Sequence, residues 1–352
     1  MKYTTKNRLP CEVVFHPDWW SHHAGIVFNE DYFFDPETRV AAEQRHRQVL
    51  FDKFGSLGLG EENAEKKPVI GPVHIAAGFV VSALLGCKIR FNDNGPPEVL
   101  PRAMSDDEVM ALDVPDVTNT YPMNKLLPLM DELEAKYGYV EGDVDWNGLL
   151  NTALDLRGQN FMMDYYTNPD LVKHLLDVIY ETTLETVNLI RKRTGTSSTA
   201  VNRIVGVVDP TINLHSNCSV TMISKDTYDE FHLPYELKLA DQLRPYGIHH
   251  CGNDMHKVAE SYAKSDPVLL DVGWGSNIAF CREKLPNSIL SLRMDPVQMN
   301  TWTPDEVQRQ VSRCIEAGGS LDQIAVCCIN MDKNVPEENV FKLFETVEKY
   351  RN

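Results

Sequence analysis

Positive charge is scarce in this 352-residue sequence: 34 Lys and Arg stand against 51 Asp and Glu, a formal net charge of −17. Neutralising a phosphate backbone needs clustered Lys and Arg, so a sequence-independent nucleic-acid binder is excluded. Long apolar runs are also lacking. The best, IAAGFVVSALLG at 75–86, is bounded by Pro72 and by Lys88 and Arg90. It falls short of the roughly 20 residues of a membrane helix, so it reads as a buried helix and no membrane partner is expected. The opening residues, MKYTTKNRLPCEVV, hold no apolar signal core. The eight cysteines therefore point to reduced thiols in a cytosolic protein and not to a disulfide framework. The composition leaves a homodimer open. Two more absences matter: there is no internal repeat, and no GxGxxG fingerprint follows a strand.

What is present is alternation. Short apolar runs at 204–209 (IVGVVD), 247–251 (GIHHC), 268–273 (VLLDVG), 289–295 (ILSLRMD) and 323–330 (QIAVCCIN) are separated by amphipathic segments with helix-start signals. Asn168 and Pro169 open one helix, Ser224 a second that Pro234 should kink, Thr303 with Pro304 and Glu306 a third, and Pro336 a fourth. Asp35 and Pro36 start another over 32–55, RLPCEVVFHPDWW (8–20) supplies a first strand, and 91–125 reads as irregular covering structure. The pattern predicts an α/β fold, a (β/α)8 TIM barrel with an N-terminal elaboration, spanning 1–352 as one domain. A doubly wound open sheet is the runner-up.

Polar residues gather at the predicted carboxyl ends of these strands, where a barrel places its chemistry: Asp209, His249 to Asn253, Asp271, Asp295, and Cys328 with Asn330. In GIHHCGN the strand period of two puts His249 and Cys251 on one side and His250 on the other. An imidazole and a thiolate so placed can share a zinc ion, with a third ligand from Cys327 or Cys328 in the last strand. His215 and Cys218, in the INLHSNC loop, face the same mouth or form a satisfied polar cluster of their own. Asn253 and Asp254 read as helix caps.

The H-x-C-G motif (249–252), LRG (156–158), NPDLVKHLLD (168–177), DPVQ (295–298) and VPEENV (335–340) together resemble the uroporphyrinogen decarboxylase superfamily, over most of the chain and most weakly before residue 65. The resemblance implies a (β/α)8 barrel. It also implies one of two activities. Decarboxylases of this kind carry an N-terminal arginine-rich motif for substrate carboxylates; here the matching region has Arg8 and then no arginine until Arg39. Without paired guanidinium groups a porphyrinogen carrying many carboxylates has little to hold it. The other branch comprises corrinoid-linked methyltransferases that bind zinc through His-x-Cys and a later Cys. His249 and Cys251 match. Counting back from VPEEN puts Ile329 at the later position, so Cys328 is preferred, Cys327 is the alternative, and Glu141 or Asp271 could substitute.

The resemblance thus implies a zinc-dependent methyltransferase that moves a methyl group from a methoxylated, aromatic substrate to the cob(I)alamin of a partner corrinoid protein. The alternative within the branch is transfer from a methylcorrinoid protein to a thiol of the coenzyme M type. Trp19, Trp20, Phe161, Tyr165, Tyr166 and Trp274 are candidates for a flat methoxyarene pocket. Asp209, Asp271 and Asp295 are the acids expected to assist, or to orient His249. A different class, a barrel that binds a small apolar ligand with structural thiols, is separated from these by metal content.

Overall fold

The computed structural model describes residues 2–70, 78–195, 208–209 and 211–352. Six parallel strands form its centre: β1 (Cys11–Phe15), then, after the hairpin β2 (Lys88–Asn92) and β3 (Gly95–Leu100), β4 (Asn213–Ser216), β5 (Tyr246–His249), β6 (Leu269–Val272), β7 (Ile289–Met294) and β8 (Ile324–Met331). Their order is β1-β8-β7-β6-β5-β4. The pairing of the first strand with the last, Cys11 opposite Val326 and Val13 opposite Cys328, is a step toward closing a barrel. Two further staves continue the curve as single parallel bridges, Asn147 with Ser216 and Val69 with Glu141. The fold is therefore the TIM-barrel type expected, not the doubly wound sheet.

Strand alternation sorts the core into two. Val14, Leu214, Leu269, Ile289, Ala325, Cys327 and Ile329 pack inside the barrel. Val13, Ile248, Leu270, Leu292, Val326 and Cys328 face the helices. The polar residues that share the inward parity, His249 on β5, Asp271 on β6, and Ser291 and Arg293 on β7, are thereby carried into the barrel. All four are nearly or fully buried.

Helix starts follow their caps. Asp35 accepts from the Thr38 backbone N–H and opens Pro36–Phe54; Asn168 opens Pro169–Thr194; Thr303 and Glu306 form a reciprocal capping box on Pro304–Gly318. The helix opened by Ser224 is interrupted ahead of Pro234 by a π-helical turn at Tyr228–His232, which leads into Leu233–Gln242. Proline has no N–H to continue the ladder, and the wider turn absorbs that break.

Two expectations are corrected and one is met in part. The stretch 91–125 is not all irregular: it contains most of the β2–β3 hairpin and the short helix Asp106–Met110. Of the apolar run 75–86, Val80–Leu84 is a buried helix, while 75–77 lies outside the described residues. Most consequentially, the strand that pairs with β5 is 213–216, a segment absent from the expected strands. Residues 204–207 lie outside the described residues, and Val208 and Asp209 form a bend ahead of β4. An apolar run of β-branched residues fits a buried strand, but so does NLHS once its alternate residues serve two different surroundings. No helix among the described residues is long and apolar enough to cross a membrane.

Candidate metal centre

β5 ends at His249, and the chain continues so that Cys251 keeps the same side: His249 Nε2 lies 3.0 Å from Cys251 Sγ. His250 points the other way, its Nδ1 2.9 Å from the Tyr262 hydroxyl. The glycines that follow have a reason. A Cβ on Gly273, just past β6, would lie 1.5 Å from the Gly252 carbonyl oxygen, so the two loops meet at a distance only glycine permits. That contact holds the Cys251 turn against the end of β6.

The third sulfur comes from β4. Cys218 lies two residues past that strand, and its Sγ, a nitrogen of His249 and the Cys251 Sγ all lie within 4.8 Å of one another. Its loop is tied down from behind. Asn217 donates to Glu236 Oε2 (2.6 Å), which also accepts from the Tyr228 hydroxyl (2.9 Å), while Oε1 takes His215 Nδ1 (3.2 Å) and the Tyr246 hydroxyl. Burial alone would raise the Glu236 pKa; His215, Tyr246 and Asn217 hold it down at about 2. His215 stacks on Trp146 at 5.0 Å. It thus belongs to this outer cluster, and Cys218 alone of the pair faces the mouth.

Hydrogen bonds and neighbouring charges push the three groups apart in acidity. The Cys251 thiol is held far below its usual range by a hydrogen bond from Cys218 and then, against burial, by the His249 and Arg293 charges; the Cys218 thiol is raised by that same bond and by burial. His249 is opposed by burial, yet the Cys251 charge and the Asp271 hydrogen bond raise it to about 9. Asp271 Oδ2 lies 2.6 Å from His249 Nδ1, which leaves Nε2 as the nitrogen turned toward the sulfurs. A carboxylate behind an imidazole is the usual means of fixing a ligand histidine's tautomer. One nitrogen and two sulfurs, one of them a thiol held well below its usual range, suit a zinc ion, which would have a fourth position open.

The cysteines of β8 do not join this group. Cys328 faces the helices, its Sγ 3.9 Å from the Met294 carbonyl, because residue 328 has outward parity. Cys327 faces inward, but its Sγ lies 3.1 Å from Ser291 Oγ. Burial raises both thiols, Cys327 to about 12. Ile329 and its neighbour Asn330 are where β8 reaches the cavity beside the trio. The position counted from VPEEN, Ile329, lines the cavity, and the sulfur that joins His249 and Cys251 comes from Cys218, just past β4.

The acids are also redistributed. Asp209 shares a cleft with Lys2, Arg244 and Val268, at the amino-terminal ends of β5 and β6 and therefore on the face opposite His249. Its assignment as a strand-end acid fails because its segment precedes β4. Asp271 serves His249. Asp295 accepts the backbone N–H groups of Val297 and Gln298 and closes a turn. Glu141 pairs through its backbone with Val69. Asp254 pairs with Lys257.

The cavity at the trio is about 80 Å³; Asp145, Ser216, Arg293, Ile329 and Asn330 complete much of its wall, and no aromatic side chain lines it among the described residues. The expected flat aromatic pocket is not assembled. Trp19 and Trp20 are buried against Phe15, their large apolar area favouring the outer core. Phe161 and Tyr165 pack on each other, Tyr166 is exposed, and Trp274 covers Arg293 with its ring centroid 5.2 Å from the guanidinium carbon. Arg293 and Asp145 escaped the sequence reading. The signal for Arg293 was there: in ILSLRM, Ser291 and Arg293 repeat at period two inside an otherwise apolar strand.

Comparison with known proteins agrees with this architecture. Among solved structures the chain is similar to a methyltransferase from Methanosarcina mazei, at 17% identity and a TM-score of 0.68, over 98% of this chain and 95% of that one. It is also similar to a B12-independent methionine synthase from Shewanella sp. W3-18-1 in complex with selenomethionine, at 12% identity and a TM-score of 0.49, over 99% and 98% of the two chains. No curated protein matches. The family model for uroporphyrinogen decarboxylase (URO-D) matches residues 75–350, more than three quarters of the sequence. The chain belongs to the uroporphyrinogen decarboxylase family.

Proposed function

We propose that the protein is a zinc-dependent methyltransferase whose metal is held by His249, Cys251 and Cys218. It moves a methyl group from a small methoxylated substrate to the corrinoid of a partner protein. The observation that carries this reading is the nitrogen–sulfur–sulfur trio within 4.8 Å at the carboxyl ends of β4 and β5, with Asp271 fixing the imidazole. The fold shared with a protein described as a methyltransferase is compatible with it. The corrinoid acceptor rests on the sequence resemblance.

When bound, the metal supplies Lewis acidity at the atom that gives up the methyl group. The chain supplies the rest. Asp271 keeps Nε2 of His249 aimed at the sulfurs, and Glu236, through Asn217, fixes the loop that carries Cys218. Ile329 presents an apolar wall that keeps bulk water from the reacting carbon. The cavity of about 80 Å³ matches the size of the methoxy end of a substrate. It does not enclose an aromatic ring, since benzene occupies a cavity of about 150 Å³. A tetrapyrrole is further out of scale, and among the described residues only one guanidinium, that of Arg293, lines the space, which counts against decarboxylation of a porphyrinogen.

The test is an assay with reduced corrinoid protein, zinc-loaded or zinc-stripped enzyme, and a panel of methoxy compounds, methanol and methylated thiols. Loss of the cob(I)alamin absorbance with one class, abolished by stripping and restored by one equivalent of zinc, is the expected outcome. Full turnover without metal, or porphyrinogen decarboxylation in its place, would sink the proposal.

A further inference from the structure

We propose that Arg293 receives the oxygen left behind as the methyl group departs, which makes the substrate an O-methyl rather than an S-methyl compound. This rests on the methyl-transfer reading above. A group that assists the leaving atom must reach the cavity. Asp209 lies on the opposite face, and Asp271 is committed to His249. Arg293 does reach it: it lines the cavity beside His249, Cys218 and Cys251 and is 2% exposed, and although it also hydrogen-bonds the Cys251 sulfur, its Nε and Nη1 are buried with no hydrogen-bond partner among the described residues. Trp274 lies against the guanidinium, its centroid 5.2 Å from the central carbon, and limits its motion. Fixed, buried, unpaired donors beside the reacting centre are what stabilise charge that develops only as a bond breaks.

The step balances as follows. The reduced corrinoid, as nucleophile, contributes an electron pair to a new bond with the methyl carbon. The carbon–oxygen bond breaks, and its pair stays on oxygen as an oxyanion. Guanidinium does not release a proton near neutral pH, so Arg293 holds that oxyanion through a charge-assisted N–H···O bond. The proton that completes the alcohol comes from solvent at release. The choice of oxygen over sulfur follows from the same donors: an oxyanion concentrates its charge on a small atom and gains more from short charge-assisted N–H···O bonds than does a thiolate, whose charge is spread over a larger sulfur and which leaves with less help. Asp145, a carboxylate in the same wall, repels an oxyanion and leaves the Arg293 side as its place.

Formate and its neutral counterpart formamide, both small enough for the cavity, serve as probes in calorimetric titrations of metal-free and zinc-loaded protein. Metal-free wild type should bind formate at least about tenfold more tightly than formamide, a margin of the size a charge-assisted bond provides. Arg293→Gln should erase that preference with zinc content unchanged, Arg293→Lys should restore part of it, and kcat in the methyl-transfer assay should fall by about 10²–10³ in the glutamine variant. Equal binding of the two probes by wild type, or an undiminished preference in Arg293→Gln, overturns the assignment. The wild-type comparison stands even if a variant fails to fold. Zinc content separates the two levels: a protein that takes up no zinc overturns the methyl-transfer reading, whereas a zinc protein indifferent to formate overturns the role of Arg293 alone.

Discussion

Replacing Cys218 with alanine will strip the metal from the protein, and replacing Cys328 with serine will leave it bound. The first change deletes one of the three donors gathered within 4.8 Å. The second alters a thiol on the helix-facing side of β8, beside the Met294 carbonyl. Disturbing a residue that only orients a ligand costs about 10–100-fold in metal affinity, which is the loss expected for Asp271→Asn. Removing a ligand outright must cost more, so a competition titration against a chromophoric chelator should show Cys218→Ala and Cys251→Ala both weakened beyond Asp271→Asn. Cys327→Ser and Cys328→Ser should titrate with wild type. Zinc retained at full affinity by Cys218→Ala, or lost on Cys328→Ser, contradicts the assignment.

The double change Cys218→Ala with Ile329→Cys should bring the metal back. Ile329 borders the same cavity as His249 and Cys251, so a thiol there is a candidate for the place Cys218 vacates. Zinc affinity of the double variant should recover to within about tenfold of wild type, because the donor set is again one nitrogen and two sulfurs. The single change Ile329→Cys has the opposite consequence for activity. A fourth protein donor turns an open site into a closed, structural one, so zinc should bind more tightly while methyl transfer disappears. A double variant as poor in metal as Cys218→Ala would show that Ile329 does not occupy an exchangeable position.

How much of this could be read in advance follows from which signals are local. The (β/α)8 fold, the caps at Asn168 and Thr303 and the shared side of His249 and Cys251 depend on periodicity and short-range hydrogen bonds, and those rules act within a few residues. The third sulfur depends on which segment pairs with β5. Reading the strand as IVGVVD placed Asp209 at the mouth and left the side of Cys218 open; the pairing of Asn213 with Tyr246 and Ser216 with His249 puts Asp209 ahead of β4 and Cys218 just past its carboxyl end. Apolar content passed over 213–216 because the inward face of β4 ends in Ser216 and its outward face carries His215, a pattern that does not look like a buried strand until Glu236 is seen behind it. The aromatic pocket failed for a related reason. Large rings are drawn to the thickest part of the core, under the helices, and the sequence alone does not distinguish that layer from the mouth.

The central claim is that His249, Cys251 and Cys218 together form one metal site. X-ray absorption at the zinc edge, on protein reconstituted with one equivalent, tests it most directly. The account predicts two sulfur neighbours at about 2.3 Å and one imidazole nitrogen at about 2.0–2.1 Å, with a light atom in the fourth position, and one sulfur fewer in Cys218→Ala. A wild-type spectrum with a single sulfur, or one unchanged by Cys218→Ala, would contradict it.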